Sequence, residues 1–562
     1  MANASASSSC SSKRATSTAS STRSLPQRRH QCSHTPVSST SQSPLLRSRA
    51  SQKQASHIAH TSTLGPAAPS QRAEQKLNKV YDTVIVGAGL SGLTTGQALA
   101  AKHGITNFLV TEACARVGGK VTSMQANGFV WEEGPNSFQP SDAILQLAVD
   151  AGVADQLVLG DPTAPRFVYW ENRLRPTPSG PDLLSFDLLT TMGKIRAGLG
   201  AFGLFNSSMP DEEESVEQFV RRNLGAEVFE RLVEPFCSGV YAGDPAKLSM
   251  KAAFPTIWKL EKTGGSLVGG AIKGFQEKKG NPAPPRNPSL PPKPAGQTVG
   301  SFRNGMQTLP EAISRNIKDT IRLSWTLQSM SKADNGEYLL QYDTPEGSTE
   351  IRAKSIVLTV PAYIAAELVK QQSPEAHKVL NAFDYPPVAA VTVSYPFSAV
   401  KDERKDAEGR VPGFGQLHPR SQGIITLGSL YSSSLFPGRA PDGSMLILNF
   451  VGGAKNRGVL NQSDEELTAQ VDKDLRIMLL KPDAPPPVVV GVKVWEQAIP
   501  QFNIGHDDAL VNARKALDSA GWGNVILSGN YVSGVAIGKC IEHGYVVAVE
   551  VNDIVSKQTA TA

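Results

Sequence analysis

The sequence predicts an α/β protein in which two strand–glycine–helix units lie at opposite ends of the ordered chain, with a helical insert and a strand-rich region between them. Three observations carry this. A β-branched run, Asp82 to Val86, breaks into glycines and then an Ala/Leu-rich helix. A second strand and glycine, Val525 to Gly529, precede a long helical stretch toward Val555. Between them, residues 183–275 are helical in pattern and residues 321–450 read mostly as strands.

Composition sets the outer bounds. With 562 residues, 40% of them hydrophobic, the chain can bury a large core in about two to four domains. Its first 73 residues contain nine Lys/Arg, no Asp or Glu, and an excess of Ser and Thr. That is the composition of an organelle transit peptide, and the apolar run of a secretory signal is absent. Heavy Ser with little Leu favours a plastid over a mitochondrion; a disordered tail without an address is the rival reading. The net charge of +5 resides in this tail, so the remainder is acidic and no nucleic-acid binding is expected. Cys10, Cys32, Cys114, Cys237 and Cys540 show no paired spacing, and nine histidines show no ligand spacing. Neither a disulfide framework nor a metal site is expected.

The first unit carries the chemistry. Gly87, Gly89 and Gly92, with Ala88, Leu90 and Ser91 between them, stand at GxGxxG spacing after the strand. In such a loop the first glycine makes the turn, the second admits a pyrophosphate and the third lets helix pack on strand. Alone the motif is weak. Here a second strand, Asn107 to Thr111, ends at Glu112, about 20 residues on, where a ribose-binding acid belongs. The whole is a Rossmann-like dinucleotide fingerprint. Ala113, Arg116, Gly118, Gly119 and Lys120 follow, a second glycine pair with cations on both sides; an ordinary hairpin turn is the bland alternative.

Further along, Val121 to Trp131 reads as a hairpin and Glu133 to Phe138 as a tight loop, in which the Gly134 backbone and the Asn136 amide can face a ligand or serve the turn itself. Asp142 to Gly152 is a helix. Arg166 to Pro176 is a hairpin turning at Glu171-Asn172, with Arg166, Arg173 and Arg175 either solvated or functional. The apolar pieces AGLGAFGLF and GSLVGGAIKGF are too short to span a bilayer; a membrane-facing surface and core helices explain them equally well. Residues 277–300 form a proline-rich, flexible surface loop, and FRNGM restarts the fold. A strand closing on Val360-Pro361 returns the chain to the nucleotide sheet. Residues 389–450 suit an antiparallel wall for a flat substrate, with Val388, Val411 and Tyr431 as wall candidates or plain core. The helix start near Val535, Ala536 and Ile537 offers a positive dipole end after Gly529.

ARVGGKV resembles the R-x-G-G extension of the FAD-dependent amine oxidase superfamily. Together with EEGPNSF, PRFVYW, EPFCSGVYAGDPAKLSM, FRNGM, LGSLYSSSLFPGRAPDG, FVGGAKNR and GNYVSGVAIGKCIEHG, it makes residues 80–551 similar to the plastid type of the protoporphyrinogen oxidase family. The resemblance implies six-electron oxidation of protoporphyrinogen IX to protoporphyrin IX, with O2 as acceptor and hydrogen peroxide released, in heme and chlorophyll synthesis. It implies FAD, held non-covalently because Gly529-Asn530-Tyr531 lacks the cysteine of flavinylated relatives. Arg166 then matches a propionate-pairing arginine, Asn136 an asparagine near the reacting ring, and Gly239 a glycine-containing loop beside the macrocycle. Val388, Val411 and Tyr431 match apolar positions that sandwich it. On the FAD side come Gly87, Ala88, Gly89, Leu90, Ser91, Gly92, Glu112, Ala113, Arg116, Gly118, Gly119, Lys120, Gly134, Pro135, Asn136, Ser137, Leu327, Trp495, Gly529, Val535, Ala536 and Ile537. Leu327 matches an adenine-side contact.

The implied division is a transit peptide over 1–73 and FAD-binding parts over 80–160, 301–370 and 501–562. The mixed-sheet substrate domain takes 161–182 and 371–500, and a helical, membrane-facing insert takes 183–300. A chloroplast location, peripheral contact with plastid membranes and a homodimer complete the expectation. Two rivals remain: an amine oxidase or carotenoid desaturase, and a non-catalytic relative of the prenyl-GTPase dissociation inhibitors.

Overall fold

Short runs of Val, Ile, Leu and Thr with no polar face form a parallel sheet covered on both sides. Across it, the strands are Ile321–Leu323, Phe108–Glu112, Thr83–Val86, Ile356–Leu358 and Val525–Leu527, all parallel. The computed structural model describes residues 79–177, 186–205, 209–281, 285–296 and 298–561. The expected transit peptide lies outside these residues, as do parts of the expected segments 161–182 and 183–300.

One face of this sheet is covered by helices Leu90–His103, Asp142–Asp150, Thr308–Asn316 and Ile537–Thr561 around Ile85, Leu93, Phe108, Phe302 and Ile541. The first and last helices touch backbone to backbone: a Cβ on Gly544 would lie 3.1 Å from the Ser91 carbonyl oxygen. The other face carries a four-stranded sheet and helices Ala362–Val369, Pro374–Asn381 and His506–Ser519. One of those four strands, Gly347–Ala353, is absent from the sequence expectation, because its outward residues are polar and mask the alternation.

A second, mixed sheet of seven strands runs Val488–Trp495, Val388–Pro396, Ser444–Gly452, Gly428–Tyr431, Gly415–Leu417, Arg166–Trp170 and Arg173–Pro176. All neighbours are antiparallel except Gly415–Leu417 with Arg166–Trp170. Helix Asp464–Met478 covers one face around Val391, Val393, Tyr395, Ile447 and Leu475. The predicted 166–176 hairpin is present, with Glu171 and Asn172 both at positive φ, as its two-residue turn requires.

Between residues 191 and 280 the described chain is helical. Val216–Asn223 and Glu234–Tyr241 pack with Phe186, Phe229 and Met250 against Val168 of the second sheet. Pro255–Gly264 and Leu267–Gly280 form a close hairpin, where a Cβ on Gly270 would lie 2.0 Å from the Leu260 carbonyl oxygen. Glycine contact consumes the inner faces and leaves apolar side chains outside: Met192, Phe202, Leu204, Phe205, Ile272 and Phe275 are each more than half exposed. No described helix is long and apolar enough to cross a membrane. The expected proline-rich loop starts late, since the helix continues to Gly280, and it is anchored by buried Leu290 and an Arg286–Asp142 ion pair.

One buried ion pair locks three distant segments together. Arg439 Nη1 meets Glu132 Oε1 at 3.0 Å, with both side chains almost fully buried. Arg439 also donates to Ser301 Oγ and Phe302 O, while Glu132 accepts from Met306 N and Ser123 Oγ. The pair therefore joins EEGPNSF, FRNGM and LFPGRAPDG.

Candidate active site

The three glycines of the first turn do different work. Gly87 has φ +109°, and a Cβ there would meet Thr359 Oγ1 at 2.6 Å. At Gly92 a Cβ would lie 2.1 Å from the Gly87 carbonyl oxygen, so only glycine lets the helix start against the turn. Gly89 is neither strained nor crowded: its φ is −72° and a Cβ meets nothing within 4 Å. Its missing side chain leaves open space at the start of helix Leu90–His103, which has no side-chain cap and no acid in its first turn. Uncapped N–H groups at a positive helix end suit a phosphate. Ala88, Leu90 and Ser91 bury their side chains, so they reach such a ligand through backbone alone.

Glu112 stands at the end of the adjacent strand. Its Oε2 accepts from Ala88 N and its Oε1 from Cys114 N, both at 2.9 Å, and Ala113 is exposed beside it. The second glycine pair closes on the first. Gly118 N donates to Ala88 O, Gly118 bridges to Gly89, and a Cβ on Gly119 would touch Gly89 Cα at 3.4 Å. Arg116 braces this loop by donating to Gly119 O at 2.8 Å and Thr122 Oγ1 at 2.7 Å. Burial lowers the pKa of its guanidinium, with Glu112 and Glu133 acting the other way.

The loop Glu133–Ser137 lies directly behind. A Cβ on Gly134 would fall 1.9 Å from the Lys120 carbonyl oxygen, which explains the glycine without a ligand. Pro135 and Ser137 are half-buried. Asn136 is buried; its Nδ2 reaches Ser432 Oγ at 3.4 Å and its Oδ1 makes no hydrogen bond, as is true of Glu133 Oε2. Trp495 Nε1 donates to Glu133 O at 2.7 Å, and Lys120 Nζ lies 4.8 Å from the Trp495 ring. Through Trp495 and Ser432 the nucleotide-type loops adjoin the second sheet.

The second strand–glycine unit meets the first at Thr359. A Cβ on Gly529, whose φ is +106°, would lie 3.1 Å from Thr359 O, while Thr359 Oγ1 donates to Gly87 O at 3.0 Å. A short turn, Asn530–Ser533, ends at Gly534, and the long helix starts at Ile537, where the sequence places it. Val535 is half-buried and Ala536 exposed at that start. Leu327 is half-buried just past Trp325, whose N–H donates to Glu112 O, so it follows closely on the Glu112 end of the adjacent strand.

Strand register decides the substrate candidates. Leu430 is paired with Leu448, and Gly428 with Phe450 and Leu417, so Leu417, Leu430 and Phe450 share one face. All three are half-buried, and helix Glu234–Tyr241 faces them: a Cβ on Gly239 would lie 2.4 Å from Leu417 Cδ2. Arg166, paired with Gly415, stands on this face, its guanidinium 5.0 Å from the Phe414 ring and its pKa lowered by burial. Val388 is on this face as well, packed with Phe450 and Trp495. Two expectations need correcting. Val411 and Tyr431 lie in the core on the opposite face, under helix Asp464–Met478, with Tyr431 OH bonded to Gln416 Oε1. Gly239 is in a helix, not a loop. Leu417, Leu430 and Phe450, which sequence reasoning missed, share the face of Arg166 and Val388 on which Val411 and Tyr431 were expected.

Residues 90–552 match the family described as flavin containing amine oxidoreductase. A chloroplastic protoporphyrinogen oxidase 1 from Spinacia oleracea is 58% identical over 481 residues, 85% of each chain. The chloroplastic protoporphyrinogen oxidase of Oryza sativa subsp. japonica is 55% identical over 89% of this chain and 92% of its own. A crystal structure from Exiguobacterium sp. 255-15, described provisionally as a protoporphyrinogen oxidase, superposes with a TM-score of 0.67 at 25% identity, covering 84% of this chain and 98% of that one. By these matches the chain belongs to the flavin containing amine oxidoreductases and, within them, to the plastid-type protoporphyrinogen oxidase family.

Proposed function

We propose that this chain is a flavin-dependent oxidase that converts protoporphyrinogen IX to protoporphyrin IX in plastid tetrapyrrole synthesis, using non-covalent FAD and passing electrons to O2 with release of hydrogen peroxide. The single observation that carries the cofactor is the uncrowded, unstrained Gly89, framed by an uncapped helix start, Glu112 and the Arg116-braced second glycine pair. The residues present fit a dinucleotide: helix Leu90–His103 and the glycine backbones take its diphosphate, Glu112 a ribose, Leu327 its adenine side. Asn136 Oδ1 and Glu133 Oε2, buried without partners, await polar groups of a ligand. Cys540 lies beyond the Gly529–Tyr531 turn, buried and bonded to the Gly534 carbonyl, which supports a dissociable cofactor.

The flavin supplies hydride acceptance, so the protein's task is to orient a saturated tetrapyrrole and keep water out. Arg166 holds one propionate by a charge-assisted pair. Leu417, Leu430, Phe450 and Val388 give the flat apolar wall, and Gly239 lets helix Glu234–Tyr241 close on it at side-chain distance. Asn136, at the seam between the two sheets, offers its free Oδ1 to a pyrrole N–H. The sequence segments 80–160, 301–370 and 501–562 make the cofactor part, 161–182 and 371–500 the substrate part. The exposed apolar side chains between Met192 and Phe275 dock the protein on plastid membranes without spanning them, and a homodimer is compatible with this arrangement.

The test is direct. Purified protein should be yellow, release FAD on denaturation, and lose its flavin absorbance anaerobically on adding protoporphyrinogen IX but not aliphatic amines. Colourless protein that refuses FAD, or a flavin bleached only by amines, would refute the reading.

A further inference from the structure

Two amines share one indole ring. Lys120 Nζ lies 4.8 Å and Lys493 Nζ 5.2 Å from the Trp495 centroid. Lys120 donates to Gln497 O at 2.5 Å, an uncharged partner. Register puts Lys493 on the substrate wall: it is paired with Ala390, which pairs in turn with Phe450, while Trp495 pairs with Val388. Both lysines are half-buried, and neither forms an ion pair with a carboxylate of the described residues. The acids nearest in sequence do not offset Lys120: Glu496 is exposed, and Glu133 acts on Arg116. Burial and the charge of Lys493 together push the Lys120 pKa down to about 8. Like charges gathered in a partly dry junction oppose folding unless an anion joins them.

Three anions are available to an enzyme of this kind, and two are ill placed. A diphosphate belongs at Gly89 and the helix start, whereas Lys493 rises from the sheet wall. A substrate carboxylate belongs at Arg166. The Arg166 strand is sixth in the sheet and the Lys493 strand first, roughly 24 Å apart at about 4.8 Å per strand. The two propionates of protoporphyrinogen IX lie on one edge, so a molecule held by that edge at Arg166 turns its other edge toward Lys493. The remaining anion is made by the reaction. When the substrate carbon gives up hydride, two electrons and the hydrogen leave it together. The flavin gains one negative charge, and the substrate's positive charge is discharged by loss of an N–H proton to water.

Resting on the flavin reading above, we propose that Lys493, seconded by Lys120 across Trp495, holds the negative charge that a bound flavin acquires on accepting hydride. Lys493 is in this sense a positioning residue whose charge makes the cofactor a better hydride acceptor; it does not anchor the substrate.

The experiment is spectroelectrochemical titration of the holoenzyme's flavin, with stopped-flow anaerobic reduction by protoporphyrinogen IX, for wild type, K493Q and K493R. K493Q should show a lower two-electron midpoint potential and a reduction step slower by about tenfold, with KM for the tetrapyrrole within about twofold of wild type. K493R, which keeps the charge, should restore both. An unchanged potential in K493Q overturns the proposal, and so does a raised KM at unchanged potential, which would make Lys493 a carboxylate anchor. Loss of FAD from K493Q but not K493R overturns it too, by making the residue a binding group. If K493Q misfolds, K493M takes its place under the same criteria. A wild-type protein without flavin would instead sink the cofactor reading itself.

Discussion

Replacing Gly89 by Ala separates a ligand-made constraint from a fold-made one. At φ −72° and ψ 177° alanine is unstrained, and its Cβ meets no protein atom within 4 Å. Lower unfolded-state entropy favours the variant by about 0.4–1 kcal/mol. Alanine's poorer performance at a helix N-cap takes back a similar amount. The apoprotein should therefore keep its stability within about 1 kcal/mol. The methyl group nevertheless fills the space a diphosphate must enter. Loss of one charge-assisted hydrogen bond, about 1.5–3 kcal/mol, weakens FAD by roughly 10–150-fold. Gly92→Ala is the control. Its Cβ would lie 2.1 Å from the Gly87 carbonyl oxygen, a backbone atom that cannot swing aside, so the apoprotein itself should lose about 1–3 kcal/mol or more. Thermal unfolding of both apoproteins, with and without FAD, and titration by flavin fluorescence quenching read the two effects separately. Gly89→Ala binding FAD as wild type does, or destabilising the apoprotein as Gly92→Ala does, would refute the reasoning.

Other expectations follow from particular contacts. Arg439→Ala strands the buried Glu132 carboxylate and should cost about 3–5 kcal/mol in denaturant titration, whereas Arg439→Met with Glu132→Gln should recover part of that loss. His418 is fully enclosed, its Nδ1 2.6 Å from Thr426 O, and burial pushes its pKa down to about 4. The unfolded chain thus binds more protons between pH 6.5 and 4. Stability should fall by about 3 kcal/mol as pH drops through that window, and His418→Gln should flatten the acid limb of the profile. Arg166→Ala should raise KM for protoporphyrinogen IX by about tenfold or more with a smaller effect on kcat, and an unchanged KM would remove Arg166 from the site.

The elements legible in the sequence are those whose residues have no alternative. Gly87, Gly92 and Gly134 each stand where any Cβ collides with backbone or a fixed side chain, and the 166–176 turn needs residues that tolerate positive φ. Which residues share a face of the second sheet was not legible. Strand Val388–Pro396 is buried on both sides along eight of its nine residues, so its apolar run has no alternation to read. The placement of Val411 and Tyr431 in the core, and of Leu430 and Phe450 on the face of Arg166, shows only in strand register and packing. Charged residues were equally opaque. Glu132 and Arg439, 307 residues apart, carry no sequence sign of the buried clasp they form between three motifs, while Lys493 declares its face only through its register with Ala390.

Thr359 receives Gly87 from one end of the chain and Gly529 from the other. During synthesis the ribosome makes Leu358 well before Val525, an interval of roughly 8–33 s at about 5–20 residues per second. For that time strand Ile356–Leu358 has one hydrogen-bonding edge bare, and an unpaired apolar edge invites other chains. A nascent or prematurely ended polypeptide can thus hold all of the first glycine turn and still lack a closed pocket, so chaperone dependence should rise sharply for any truncation that removes the last forty residues.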